Sequence, residues 1–169
     1  MAARIQSAPM AAALKTSMRL SRHHTLARLI HSDTATERSI DNTPPAEVLD
    51  NLRLLARGLD RVRQLLAHRL EISSGYRCPA LNAAVGGAPR SQHTQGLAAD
   101  FCCPGFGPPL AIARAIHDSD IVFDQLILEY GDWIHVSFSP APRRRVLTIY
   151  TAREGYLDGL IDEAGNAVA

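Results

Sequence analysis

Apolar residues at Val48, Leu49, Leu52, Leu55, Leu59, Val62, Leu65 and Leu66 recur at helical spacing, so one long amphipathic helix is predicted after Asn42-Thr43-Pro44-Pro45. Thr43 is expected to cap it and Pro44 to take its first position. The interleaved Arg53, Arg57, Asp60, Arg61 and Arg63 fall on the wet face. Upstream, Thr25 can cap a short helix carrying Leu26, Leu29 and Ile30, and Ser32-Asp33 or Thr34 can start another. Downstream the pattern becomes strand-like. Residues 70–74 and 98–103 read as strands, separated by a turn at Gly75, a brief helix over 80–84 and a loop over 85–89. A short helix over 110–117 precedes three strands at 125–130, 133–138 and 145–150, the first two joined tightly through Gly131-Asp132. Beyond Tyr150 the pattern weakens, and Gly155, Gly159 and Gly165 argue against a long helix.

Helices come first and strands cluster later, which favours an α+β domain with a mainly antiparallel sheet. The expected division is a flexible N-terminal extension over 1–22, one domain over 23–152 and a polar C-terminal tail over 153–169. A chain of 169 residues can bury a full core in one such domain.

Basic and acidic residues nearly cancel, 18 against 17, so nothing advertises a nucleic-acid surface. Arg143-Arg144-Arg145 forms a dense basic run and reads as a solvated strand edge or turn. No apolar run reaches membrane-span length. The Ala-rich piece over 8–14 is too short for a secretory core, so no signal peptide is expected. Cys78, Cys102 and Cys103 make an odd set without a disulfide framework and fit a reducing compartment. Cys102 shares strand parity with Asp100 and could offer a thiolate to a metal, although a buried, inert role suits all three better.

The chemistry concentrates in Ser91-x-His93-x-x-Gly96-x-Ala98-x-Asp100 and Trp133-x-His135. Two imidazoles and one carboxylate suit a divalent ion such as zinc, and three protein ligands leave one position for water, as catalytic zinc sites do. Alternation puts Trp133, His135 and Ser137 on one strand face and Ile134 and Val136 on the other. Taken singly, each histidine reads as a satisfied structural residue.

Together with Ser73-Ser74-Gly75-Tyr76-Arg77 and Leu81-Asn82-x-x-Val85-Gly86-Gly87, these motifs resemble the zinc D-Ala-D-Ala carboxypeptidases and related phage endolysin peptidases over roughly residues 25–150. The resemblance implies a hedgehog/DD-peptidase-like fold with N-terminal helices on one side of the sheet. It implies one Zn2+ held by His93, Asp100 and His135, and hydrolysis of peptide bonds in peptidoglycan stem peptides by a monomer. Both D-Ala-D-Ala carboxypeptidase and L-Ala-D-amino-acid endopeptidase action remain open. So does a non-catalytic zinc-containing cell-wall-binding or phage structural module on the same scaffold. Such a protein would be made in a bacterial cytoplasm, from a bacterial or phage gene, and act at the wall.

The family's general base stands three residues before the last ligand, at Asp132, which is the preferred assignment. That position varies among relatives, and Glu129 competes. Straight-strand parity favours Glu129, whereas a turn at Gly131-Asp132 that broke register would let Asp132 swing inward. Arg77 matches a substrate-facing arginine and suits a substrate carboxylate or an oxyanion. Ser91, Tyr76 and Trp133 are the expected substrate-binding residues.

Overall fold

Thr25 accepts the Arg28 N–H and opens α1 (Leu26–Ile30), and Ser32 accepts the Ala35 N–H and opens α2 (Asp33–Glu37). Both caps lie where the sequence places them. The computed structural model describes residues 17–168, so the Ala-rich piece over 8–14 lies outside the described residues. Within the expected N-terminal extension, Leu20 is buried in the core and the Met18 carbonyl accepts the Leu26 N–H.

The long helix starts later than its proline pair suggests. A 3-10 turn over Ala46–Val48 leads into α3 (Leu49–Leu66). Thr43 does not cap it; the Thr43 N–H donates to Asp41 at 2.9 Å. The reason lies next door. Buried Asn42 donates from Nδ2 to the carbonyls of Ile30 and Tyr76, and its Oδ1 accepts the Cys78 N–H. Three backbone partners hold this segment extended past Pro45, so helical geometry waits until Ala46. Along α3, Leu52, Leu55, Leu59, Val62 and Leu66 are buried and Leu65 faces solvent. Asp60 is no simple solvated charge: it accepts the N–H groups of Arg22 and His23 and pairs with His24 Nδ1 at 3.0 Å.

Six strands form one sheet: β1 (Glu71–Ser74), β2 (Ala98–Cys102), β3 (Gln125–Glu129), β4 (Trp133–Ser137), β5 (Arg145–Ile149) and β6 (Leu157–Asp158). Their order is β1-β2-β4-β3-β5-β6, and every pair is antiparallel except β3 with β5. The mixed α+β class and the mainly antiparallel sheet are as the sequence suggests. Between β1 and β2 lie α4 (Pro79–Ala84) and a 3-10 turn over Gln92–Gln95, and α5 (Pro109–His117) joins β2 to β3. The weakly patterned segment after Tyr150 supplies β6 and the fully buried Leu160. Among the described residues no helix is long and apolar enough to cross a membrane.

Strand alternation divides the sheet's labour. Ala99 and Phe101, Leu126 and Leu128, and Ile134 and Val136 join the α3 and α5 side chains in the main core. Their neighbours Asp100, Ile127, Glu129, Trp133, His135 and Leu147 line a cleft on the other face. Helical packing therefore fixes the strands, and through them the spacing of the cleft residues.

Gly75 shows how tightly the site's loop is held. A Cβ there would stand 2.3 Å from the Leu29 carbonyl oxygen, which also accepts the Tyr76 N–H. Backbone cannot yield as a flexible side chain would, so Gly75→Ala is expected to cost about 2–3 kcal/mol, a typical overpacking penalty. Chemical denaturation checks it; a wild-type midpoint would contradict this close approach.

Candidate metal centre

The site is assembled from one turn and two neighbouring strands. Ser91 caps the 3-10 turn by accepting the His93 N–H, and Gly96 closes it with φ +69. A side chain at Gly96 would meet Val48 Cγ1 at 2.6 Å, so turn geometry and packing against α3 both call for glycine. His93 is thereby brought over β2. Asp100 and His135 are direct cross-strand partners of β2 and β4.

Three donor atoms converge. His93 Nε2 lies 3.1 Å from Asp100 Oδ1 and 3.2 Å from His135 Nδ1, and His135 Nδ1 lies 2.9 Å from Asp100 Oδ1. All three residues are buried, and together they form a group able to hold a metal ion. His93 Nδ1 donates to the Gly75 carbonyl at 2.6 Å, so in a neutral ring Nε2 presents a bare lone pair. Burial pushes the His93 pKa down, which favours that neutral form despite the nearby Asp100. Burial opposes ionisation of Asp100 too, but the adjacent imidazoles outweigh it and hold the carboxyl well below the usual carboxylate range.

The donor chemistry fits a cation. With the His93 ring neutral, its Nε2 lone pair would face the ionised Asp100 oxygen, an arrangement that a shared positive charge, a proton or a metal ion, relieves. Tetrahedral ligands at zinc's bond lengths of roughly 2.0–2.1 Å stand about 3.3 Å apart, close to the separations here. The Gly75 carbonyl supplies the outer hydrogen bond that orients such a histidine. Arg77 does the same for the carboxylate: Nη2 reaches Asp100 Oδ2 at 2.6 Å, and Nε donates to Ser74 Oγ at 2.8 Å. Arg77 Nη1 makes no hydrogen bond to any described residue.

His93, Asp100 and His135 open onto a cleft of about 610 Å3 that also exposes Arg77, Ser91, Glu129 and Trp133. The two carboxylates weighed as general base are placed differently. Tyr130 and Gly131 both adopt positive φ, and the Asp132 N–H donates to the Glu129 carbonyl. That is a tight turn of the hairpin type, and it preserves register, pairing Glu129 with Trp133 and Ile127 with His135. The turn therefore does not break register, as an inward swing of Asp132 would need. Glu129 lines the cleft; Asp132 is exposed and does not. Burial raises the Glu129 pKa, Asp100 adds to the rise, and His135 and Arg77 oppose it.

Tyr76 does not wall the cleft. It is 3% exposed within the main core, because its backbone is tied to Leu29 and Asn42. Cys102 stays out of the metal group, its Sγ donating to the Asp132 carbonyl at 3.1 Å. Tyr130 lies 5.3 Å from Trp133 ring to ring and lines the cleft, as does Tyr156 from the segment before β6. Arg143 and Arg145, read from sequence as solvated, line it too. For Arg145 the missed signal was its alternation with Leu147 and Ile149; for Tyr156 no sequence signal existed.

A family model described as peptidase M15 matches residues 22–137, more than half of the chain. No curated protein matches it.

Proposed function

The chain belongs to the peptidase M15 family, and from that membership we propose that it is a zinc-dependent hydrolase of peptidoglycan stem peptides, acting as a D-Ala-D-Ala carboxypeptidase or an L-Ala-D-amino-acid endopeptidase. The observation that carries the reading is the buried His93–Asp100–His135 cluster opening on one side into a peptide-sized cleft. We assign the domain to 23–152 and its architecture to the hedgehog/DD-peptidase type, with the N-terminal helices on the sheet face away from the cleft.

In this reading His93, Asp100 and His135 hold the ion. Zinc held there would supply a water of lowered pKa, about 7, and Lewis acidity toward the scissile carbonyl. Glu129 accepts the proton of the attacking water and returns it to the departing amine. Arg77 steadies Asp100 through Nη2 and keeps Nη1 for a substrate carboxylate or the oxyanion. Ser91 holds the His93 turn, and Trp133 offers an aromatic wall for the peptide.

The test is mass analysis of muropeptides incubated with metal-loaded protein. Loss of a terminal D-alanine is expected for the carboxypeptidase, and a cut after L-alanine for the endopeptidase. Chelation should stop either reaction and zinc should restore it. Full zinc occupancy with no change in any muropeptide mass would leave a non-catalytic zinc module instead.

A further inference from the structure

Four arginines line the cleft, and their partners sort them into two pairs. Arg77 is compensated by Asp100. Arg143 grips buried Asp124 with Nε and Nη2, and Gln92 donates to the same carboxylate. Arg90, by contrast, makes no hydrogen bond or ion pair with any described residue. Arg145 has only a 3.6 Å contact from Nη2 to Asp158, whose side chain is 88% exposed. Besides the metal ligand Asp100, the only acidic residue lining the cleft is Glu129. Two guanidinium groups are therefore left without a buried counter-charge.

The position of Arg145 is set by the sheet. His135, Ile127 and Leu147 are successive partners across β4, β3 and β5. Glu129 lies two residues along β3 from this row in one direction. Gln125, beside Arg145, lies two residues in the other. Two strand spacings and two residues put Arg145 about 12 Å from His135 along the sheet, or roughly three residues of extended peptide. Arg143 braces this end: its backbone N–H and side chain both hold Asp124, whose carbonyl accepts the Arg145 N–H. β5 lies outside the residues matched by the family model.

We propose that Arg90 and Arg145, which line the same cleft, with Gln125 beside Arg145, form a second anion subsite that selects peptides carrying a free carboxylate two to three residues from the scissile bond, on the side of His135 away from Glu129. The inference deepens the peptidase reading and rests on it for the position of the scissile bond; the preference for charge does not depend on turnover. A carboxylate is the matching ligand because a guanidinium binds it through two parallel hydrogen bonds. The open setting keeps the gain modest and sensitive to salt.

The experiment uses pairs of stem peptides that differ only in whether that carboxylate is free or amidated. Calorimetry on the metal-loaded Glu129→Gln protein measures binding, and kcat/KM is measured on the otherwise unaltered chain. The free-acid form is expected to bind roughly five- to tenfold tighter, with the same ratio in kcat/KM. Arg90→Gln with Arg145→Gln should bring both ratios to within about twofold of unity. Far-ultraviolet circular dichroism checks that this double variant is folded. A ratio near one in the unaltered protein, or one that survives the double substitution, overturns the subsite. If neither peptide is cleaved but the binding ratio holds and collapses with the arginines, the peptidase reading fails and the subsite stands.

Discussion

Glu129→Gln is expected to lower turnover by about 10²–10⁴-fold, the usual worth of a positioned general base, while metal content stays at that of the unaltered protein. The substitution keeps size and shape and removes only the ionisable oxygen, so the Glu129–Trp133 cross-strand pairing is undisturbed. Asp132→Asn is the matched control. Asp132 is exposed in the turn, and its contacts there are made by its backbone: its N–H to Glu129 and its carbonyl to Cys102. Its loss should change turnover by less than about twofold, as for an ordinary surface position. Steady-state kinetics on a cell-wall peptide, with metal analysis of the same samples, decides the matter. The opposite pattern, a dead Asp132→Asn and an active Glu129→Gln, would show that the turn opens in the working enzyme.

That choice marks where sequence reading reaches its limit. Everything governed by local periodicity was legible: the α3 stripe, the caps at Thr25 and Ser32, the strands, and the faces of β4. The convergence of His93, Asp100 and His135 was legible because their spacing is carried by one turn and one cross-strand pair. Which of Asp132 and Glu129 lines the cleft was not, because it depends on whether a three-residue connection preserves register, and that is decided by positive φ at Tyr130, a residue that does not announce it. The helix start was misplaced for a related reason. Asn42 reads as a generic turn residue, yet its side chain joins three backbone groups from α1 and the β1–α4 connection. Contacts over such sequence distances leave no periodic trace. The same holds for Tyr156, which the pairing of β6 with β5 brings to the cleft.

The largest combined effect is expected at Asp100, where metal binding and fold stability meet. Asp100→Ala removes one of three ligands, so the purified protein should fall from about one equivalent of zinc to near none after dialysis against a mild chelator. It also strips Arg77 of its counter-charge, with Arg77 only 17% and Asp100 10% exposed at the side chain. Orphaning a charge in such a pair costs about 3–5 kcal/mol, and the stabilisation that bound metal gives the native state is lost as well. Asp100→Asn separates the contributions. An amide keeps the volume, can donate to the His93 nitrogen and can still accept from Arg77, so its metal-free stability should lie within about 1 kcal/mol of the unaltered metal-free protein. It should nevertheless hold zinc as poorly as the alanine variant, because the anionic oxygen is gone. Urea denaturation with and without zinc reads both quantities. If Asp100→Ala kept a full equivalent of zinc, the carboxylate would be a structural partner of Arg77 alone, and two imidazoles would be too few to account for the centre.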